Sequence, residues 1–153
     1  MKKDPLQAAQ SYAYRLLSVK ERSLREMEER LKAKGFADDC ILKVIEHLKR
    51  NNFINDGKYA QEWVKASSTY RPKGVFAIKK ELARKGLDAS LVEEALKDPE
   101  AGYDEYEVAR SLAAKKMKSM GETGKMKIKK NVYGLLARRG FSFEVINDIV
   151  DKI

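Results

Sequence analysis

Histidine and cysteine are nearly absent from this chain of 153 residues: there is one of each, His47 and Cys40. With one imidazole, no Ser-His or Cys-His triad can form anywhere away from His47. One histidine and one distant thiol do not make a zinc site. Between Glu46 and Leu48, His47 reads as a surface or half-buried structural residue. A lone cysteine forms no internal disulfide, so Cys40 reads as a small buried hydrophobe beside Ile41, and a reducing cytoplasm is the expected location. Glycine-rich phosphate loops are missing: Gly121-Glu-Thr-Gly124-Lys125 is a turn with a lysine but lacks the phosphate-loop spacing. No apolar run approaches the roughly 18 residues a membrane span needs. Met1-Lys-Lys-Asp-Pro5 has no apolar stretch behind it, so no signal peptide is expected. The acids lie scattered among bases at helical spacing, as on solvated faces. No enzyme, catalytic residue, cofactor or metal is expected.

Proline is scarce as well. Pro5, Pro72 and Pro99 each fall where a helix can begin, which leaves long stretches free to be helical. What is abundant is charge, 36% of residues against roughly 25% in an average globular chain. Hydrophobic residues, at 43%, still suffice for a core. Such a mixture suits long solvated helices around narrow cores. The net charge of +9 has a definite place: from Arg110 to Arg139 there are ten Lys or Arg and one acid, Glu122. The remaining 22 bases and 22 acids cancel. A localised basic block points to a polyanion or an acidic protein surface.

A short pattern recurs three times: Leu31-Lys-Ala-Lys-Gly35-Phe36, Leu82-Ala-Arg-Lys-Gly86-Leu87 and Leu136-Ala-Arg-Arg-Gly140-Phe141, with the glycines 51 and 54 residues apart. Each has the logic of a helix end, with bases in the last turn and a glycine for the left-handed stop. Six, nine and ten places after each glycine stand apolar residues on one helical face: Ile41, Val44, Ile45; Val92, Ala95, Leu96; Ile146, Ile149, Val150. Asp38, Asp88 and Ser142 are the expected N-caps of these helices. A helix precedes each pattern, marked by Val75, Ile78 and Leu82 or by Ile128, Val132, Leu135 and Leu136. Another lies ahead of it, over 8–17, 59–66 and 106–117, with Asp4-Pro5 opening the first. The expected fold is all-α: an elongated, curved array of three tandem three-helix repeats, about nine helices, over 4–50, 56–97 and 103–153.

At these positions the chain resembles the RecX regulatory proteins, which modulate the RecA recombinase. Arg22-Ser-Leu, Glu29-Arg-Leu and Lys34-Gly-Phe carry the likeness in the first repeat. Asn52-Phe-Ile-Asn-Asp-Gly-Lys-Tyr59-Ala60 resembles the family's passage into the second, which holds Tyr70-Arg-Pro-Lys-Gly74 and Ile78-Lys-Lys-Glu-Leu-Ala-Arg-Lys-Gly86-Leu87. The third has Tyr133-Gly-Leu-Leu-Ala-Arg-Arg-Gly-Phe-Ser142. The match runs in order from about Leu6. Two places depart from it: Lys20-Glu21 replaces a more basic lead-in, and Asn55 replaces one acid of the pair before Tyr59. The resemblance implies a non-enzymatic protein lying along the groove of a RecA–DNA filament, where it inhibits or tunes filament growth, ATP hydrolysis and strand exchange.

The candidate contact residues for RecA or DNA are basic. Arg71, Lys73, Lys79, Lys80, Arg84 and Lys85 lie on or beside a helix expected from Lys73 to Lys85, with Lys73, Lys80 and Arg84 within about 40° of one line. Lys115, Lys116, Lys118, Lys125, Lys127, Lys129, Lys130, Arg138 and Arg139 belong to the basic block. Singly, each reads as well as a solvated lysine or arginine; as a block almost without acids they read as a contact face. Tyr133 is the only aromatic in that block, so non-specific phosphate contact is expected and base reading is not. The basic face suits an acidic RecA surface, DNA inside the filament, or both. Tyr59, Trp63 and Tyr70 form a helical stripe read as core packing of the second repeat, with a partner hot spot as the alternative. A stand-alone helical DNA-binding protein is the second functional reading, a generic helical scaffold the third. A monomer is expected.

Overall fold

The computed structural model describes residues 4–153. Among these, nine α-helices and no strands occur: α1 Pro5–Val19, α2 Leu24–Lys34, α3 Asp38–Arg50, α4 Asp56–Thr69, α5 Val75–Arg84, α6 Ala89–Lys97, α7 Glu105–Met120, α8 Lys125–Arg138 and α9 Phe143–Asp151. They group in three triplets, each around its own core. Ala9, Ala13, Met27, Leu31, Val44 and Leu48 anchor the first core; Ala60, Val64, Ile78, Leu82 and Val92 anchor the second; and Ala109, Ala113, Val132, Leu136 and Ile146 anchor the third. Separate cores are what a one-dimensional array requires. The exposed surface, 9997 Å², exceeds the roughly 7900 Å² expected of a compact monomer of 17.5 kDa, so the body is extended.

The recurring pattern folds three times the same way. Gly35, Gly86 and Gly140 take φ of +99°, +83° and +79°. The N–H that follows each one donates back to the leucine five residues earlier: Phe36 to Leu31 at 3.2 Å, Leu87 to Leu82 at 3.1 Å and Phe141 to Leu136 at 3.1 Å. This closes each helix with a left-handed turn and leaves Leu31, Leu82 and Leu136 fully buried. At the other end of α2, Ser23 and Glu26 form a reciprocal cap, with Glu26 N–H donating to Ser23 Oγ at 3.2 Å and Ser23 N–H to Glu26 Oε1 at 3.0 Å.

Several local expectations are corrected. Asp38 is the first residue of α3, not its cap; Ala37 holds that position, and Asp38 and Asp39 instead put negative charge at the helix's positive end. Asp88 does cap α6, accepting from Ser90 N–H at 3.3 Å, whereas the Ser142 hydroxyl at the start of α9 donates to Glu105. Pro5 opens α1, but Pro72 and Pro99 sit in connections. Cys40 is half-buried, its thiol 3.5 Å from the Pro5 carbonyl. His47 is half-buried and hydrogen-bonded to Tyr14. Tyr59 and Trp63 pack on the second core, but Tyr70 has left the stripe: it ends α4 and is 88% exposed.

The repeats join end to end. The carbonyls of Arg139 and Gly140, at the end of α8, accept from Gly74 N–H at 2.9 Å and Phe76 N–H at 3.0 Å, at the start of α5. The end of α5 meets the start of α2 in the same way, with Ser23 Oγ donating to the Lys85 carbonyl at 2.6 Å. An acid braces each junction from the first residue of the neighbouring helix. Asp56 accepts from Leu24 N–H at 2.9 Å, and Glu105 accepts from Val75 N–H at 2.9 Å. The middle helices α8, α5 and α2 thus run head to tail, the negative end of one against the positive end of the next.

The third repeat departs from the other two in one segment. Core residues Ala13 and Met27 are 14 positions apart, and so are Val64 and Ile78; Ala113 and Val132 are 19 apart. The five additional residues lengthen the α7–α8 hairpin, and seven residues of α8 precede its first core residue, against three in α2 and three in α5. That extension is where the lysines are.

Candidate functional site

Lys115, Lys116 and Lys118 leave from the end of α7, and Lys125, Lys127, Lys129 and Lys130 from the start of α8, across a tight connection at Gly121–Gly124. Lys116 and Lys129 are half-buried and the other five are exposed, with Met126, 85% exposed, among them. Among the described residues, no carboxylate comes within ion-pair distance of any of them, nor of Arg138 or Arg139. Arg138 is exposed; Arg139 is exposed too, but its guanidinium donates to the Pro72 carbonyl at 3.2 Å and ties the third repeat to the second.

Two of these lysines occupy an unfavourable place for a helix, while Lys118, in the last turn of α7, sits where the dipole favours it. α8 starts at Gly124 with no side-chain cap and no acid in its first turn, while Lys125 and Lys127 put positive charge at the positive end of its dipole. By contrast α7 begins with Asp104 as cap and Glu105 and Glu107 behind it.

The second basic group divides. Lys73 lies before α5, not on it; it is half-buried, paired with Glu81, and 5.7 Å from the centre of the Trp63 ring. The line through Lys73, Lys80 and Arg84 is therefore broken at its first member. Trp63 Nε1 donates to the same Glu81 at 2.9 Å. Lys85 stands 5.1 Å from the Trp63 ring centre, with Glu26 3.6 Å away. Burial lowers the Lys85 pKa, but the Tyr59 hydroxyl and the Glu26 carboxylate more than offset it and raise the value. Burial likewise pushes Glu26 up, yet the Ser23 N–H and Lys85 hold it below its ordinary value. Lys79 pairs with Glu93 at 2.7 Å, which holds the Glu93 carboxyl low. Arg71, Lys80 and Arg84 remain without an acid partner among the described residues. Lys73 and Lys85 thus serve the fold first, while Lys79 is held only by an exposed surface pair.

Sequence reasoning missed the bracing acids Asp56 and Glu105 and the extended hairpin. Alignment of the three repeats on their core residues would have found both, since each acid opens the first helix of its repeat and the added length shows as a changed spacing.

Family models settle what the repeats are. The RecX first three-helix domain matches residues 9–48, the second matches 55–96 and the third 103–150. The chain belongs to the RecX family. Similar proteins named regulatory protein RecX include one from Corynebacterium efficiens, 40% identical over 148 residues, covering 90% of this chain and 69% of that protein. One from Chlorobaculum tepidum is 32% identical over 146 residues, covering 95% and 88%. The crystal structure of RecX from Lactobacillus salivarius superposes with a TM-score of 0.82 at 26% identity, covering 97% of this chain and 96% of that one. RecX proteins are regulatory proteins by name, and the all-α tandem array seen here is the RecX fold. No helix among the described residues is long and apolar enough to cross a membrane.

Proposed function

We propose that this RecX chain is a non-enzymatic regulator that binds the RecA–DNA filament along its groove and inhibits or tunes ATP hydrolysis, filament growth and strand exchange. The observation that carries the reading is the α7–α8 hairpin: lysines without an acid partner among the described residues, on an extension of the third repeat, with Lys125 and Lys127 placed against the preference of α8. The extended body supports it too. Units over 4–50, 56–97 and 103–153, joined end to end, can span neighbouring filament subunits as a monomer and bias whichever filament state they fit better. Lys115, Lys116, Lys118, Lys125, Lys127, Lys129, Lys130 and Arg138 form one contact face, with Arg71, Lys80 and Arg84 a second. Contacts to DNA would go to phosphates without sequence preference.

The test is DNA-dependent ATP hydrolysis by RecA, with and without stoichiometric amounts of this protein, at two salt concentrations. A salt-sensitive loss of hydrolysis is expected. Unchanged hydrolysis at both, with the protein folded, overturns the reading. The hairpin projects equally in the isolated chain, which favours a stand-alone helical DNA-binding protein as second reading; that one predicts tight duplex binding without RecA.

A further inference from the structure

Arg22 lies in the turn between α1 and α2, where the first repeat meets the second, and is only 7% exposed. A guanidinium stays charged at any physiological pH. Buried charges are as a rule paired and hydrogen-bonded, because leaving one bare costs several kcal/mol. Arg22 Nε has no hydrogen-bond partner, and among the described residues no carboxylate lies within ion-pair distance of the guanidinium. Its neighbour Ser23, buried completely, is fully engaged by Glu26 N–H and the Lys85 carbonyl. Among the described residues, Arg22 Nε is the one buried side-chain polar atom without a hydrogen-bond partner.

Arg22 lines a small polar cavity of about 40 Å³ together with Asn52, Asn55, Lys58 and Glu21. A buried water needs about 10–15 Å³ by the same measure, so the space suits a few waters or one small polyatomic group. The wall is rich in donors. Lys58 adds a second positive charge. Asn55 spends its oxygen on Lys58 N–H at 3.1 Å and donates an amide hydrogen to Asn52 Oδ1 at 3.0 Å, so Asn52 keeps its own amide hydrogens free among the described residues. Asn52 is held at a φ of 60°, the only positive φ outside glycine among the described residues. The one acid on the wall, Glu21, has its pKa raised, first by a hydrogen bond with Glu62 and then by burial, with Lys58 opposing.

We infer that the Arg22 cavity is an oxyanion site, taking one phosphate or carboxylate group between the guanidinium fork and Lys58. Arg matches the paired oxygens of either group, and the ammonium of Lys58 supplies a point charge beside them. Its walls come from the α1–α2 turn, the α3–α4 connection and α4 itself, so an occupant bridges the first repeat to the second and stiffens that junction. The site stands apart from the α7–α8 hairpin and does not depend on what the hairpin binds.

The experiment uses the full chain and two probes, inorganic phosphate and acetate, each exchanged against chloride at constant ionic strength. The readouts are the arginine Nε–H signals in a ¹H–¹⁵N spectrum and the thermal midpoint. A saturable movement of the Arg22 Nε–H signal is expected, with the midpoint raised by about 3 °C at ten times the dissociation constant. Arg22→Lys identifies the signal and removes the response; should that variant not fold, Lys58→Ala on the rim must still weaken binding about fivefold. The triple variant Lys125→Glu, Lys127→Glu, Lys130→Glu must keep the response. A stronger answer to phosphate assigns the source to a phosphoryl group, and a stronger answer to acetate assigns it to an acidic side chain or terminus. An Arg22 signal indifferent to both probes means the cavity holds water and overturns the inference, as does a response that disappears with the hairpin lysines.

Discussion

Gly74 and Phe141 meet backbone to backbone: a Cβ placed on Gly74 would stand 2.2 Å from Phe141 Cα. Gly74 has a φ of −87°, where any residue is at ease, so its lack of a side chain serves the contact and not the turn. Gly74→Ala is therefore expected to push the second and third repeats apart and to cost about 3 kcal/mol. Gly35 makes the opposite comparison. An added Cβ there touches nothing within 4 Å, but its φ of +99° is strained for any L side chain, so Gly35→Ala should cost about 1 kcal/mol. Urea unfolding of both variants orders the two effects; equal losses would show that the junction can yield.

Glu105 holds three donors at once. Its carboxylate accepts from Val75 N–H at 2.9 Å, Ser142 N–H at 3.2 Å and Ser142 Oγ at 2.7 Å, bracing the starts of α5 and α9 from the start of α7. Asp56 braces one such N–H at the other junction. Glu105→Ala should then lose about 3 kcal/mol and Asp56→Ala about half of that, because bonds to a charged acceptor are worth roughly 1.5–3 kcal/mol each and share one group here. Glu105→Gln keeps the acceptor oxygen and should recover part of the loss. Equal unfolding midpoints for the two alanine variants would contradict this account.

The half-buried Tyr103 donates its hydroxyl hydrogen to the Lys73 carbonyl at 2.7 Å, and its pKa is raised, first by burial and then by the Glu105 and Asp104 carboxylates. A phenol that holds its proton more tightly when folded contributes stability in full below its unfolded pKa of about 10, and loses it as pH rises beyond that. Stability should fall from about pH 10 upwards. In Tyr103→Phe it should be lower at pH 8 by about 1 kcal/mol, for the missing hydrogen bond, yet flatter above pH 10. Denaturation at pH 8, 10 and 11 reads both slopes, and parallel decline in the two proteins would assign the alkaline loss elsewhere.

The helix ends are legible in the amino-acid sequence because each is a local device. Leu82, Gly86 and Leu87 need only a left-handed residue and a leucine five places back to close α5. The cores follow from periodicity for the same reason. Lys73 and Lys85 read as solvated candidates because their partners are not visible locally: Glu26 belongs to another repeat, and Glu81 is reached only because Lys73 precedes the helix instead of riding on it. Asp38 illustrates a smaller limit, since a cap and a first-turn acid both occupy the start of α3 and differ by one residue.

Lys125 and Lys127 give the sharpest test of the hairpin, because stability and function should move in opposite directions. Both sit in the first turn of an uncapped α8, so replacing them by glutamate turns a repulsion with the helix dipole into an attraction. The double variant Lys125→Glu, Lys127→Glu should gain about 1 kcal/mol against urea at low salt. If the hairpin meets phosphates in a RecA–DNA filament, the same variant should inhibit RecA ATP hydrolysis less, and the log–log salt slope of its binding should shrink by about 0.9 for each phosphate it no longer neutralises. A variant that is more stable and still as inhibitory as the parent would remove Lys125 and Lys127 from the contact face and leave Arg71, Lys80 and Arg84 to carry it. A gain in stability with a loss of inhibition has no explanation in misfolding, and would show that this repeat sacrifices helix stability to present its charge.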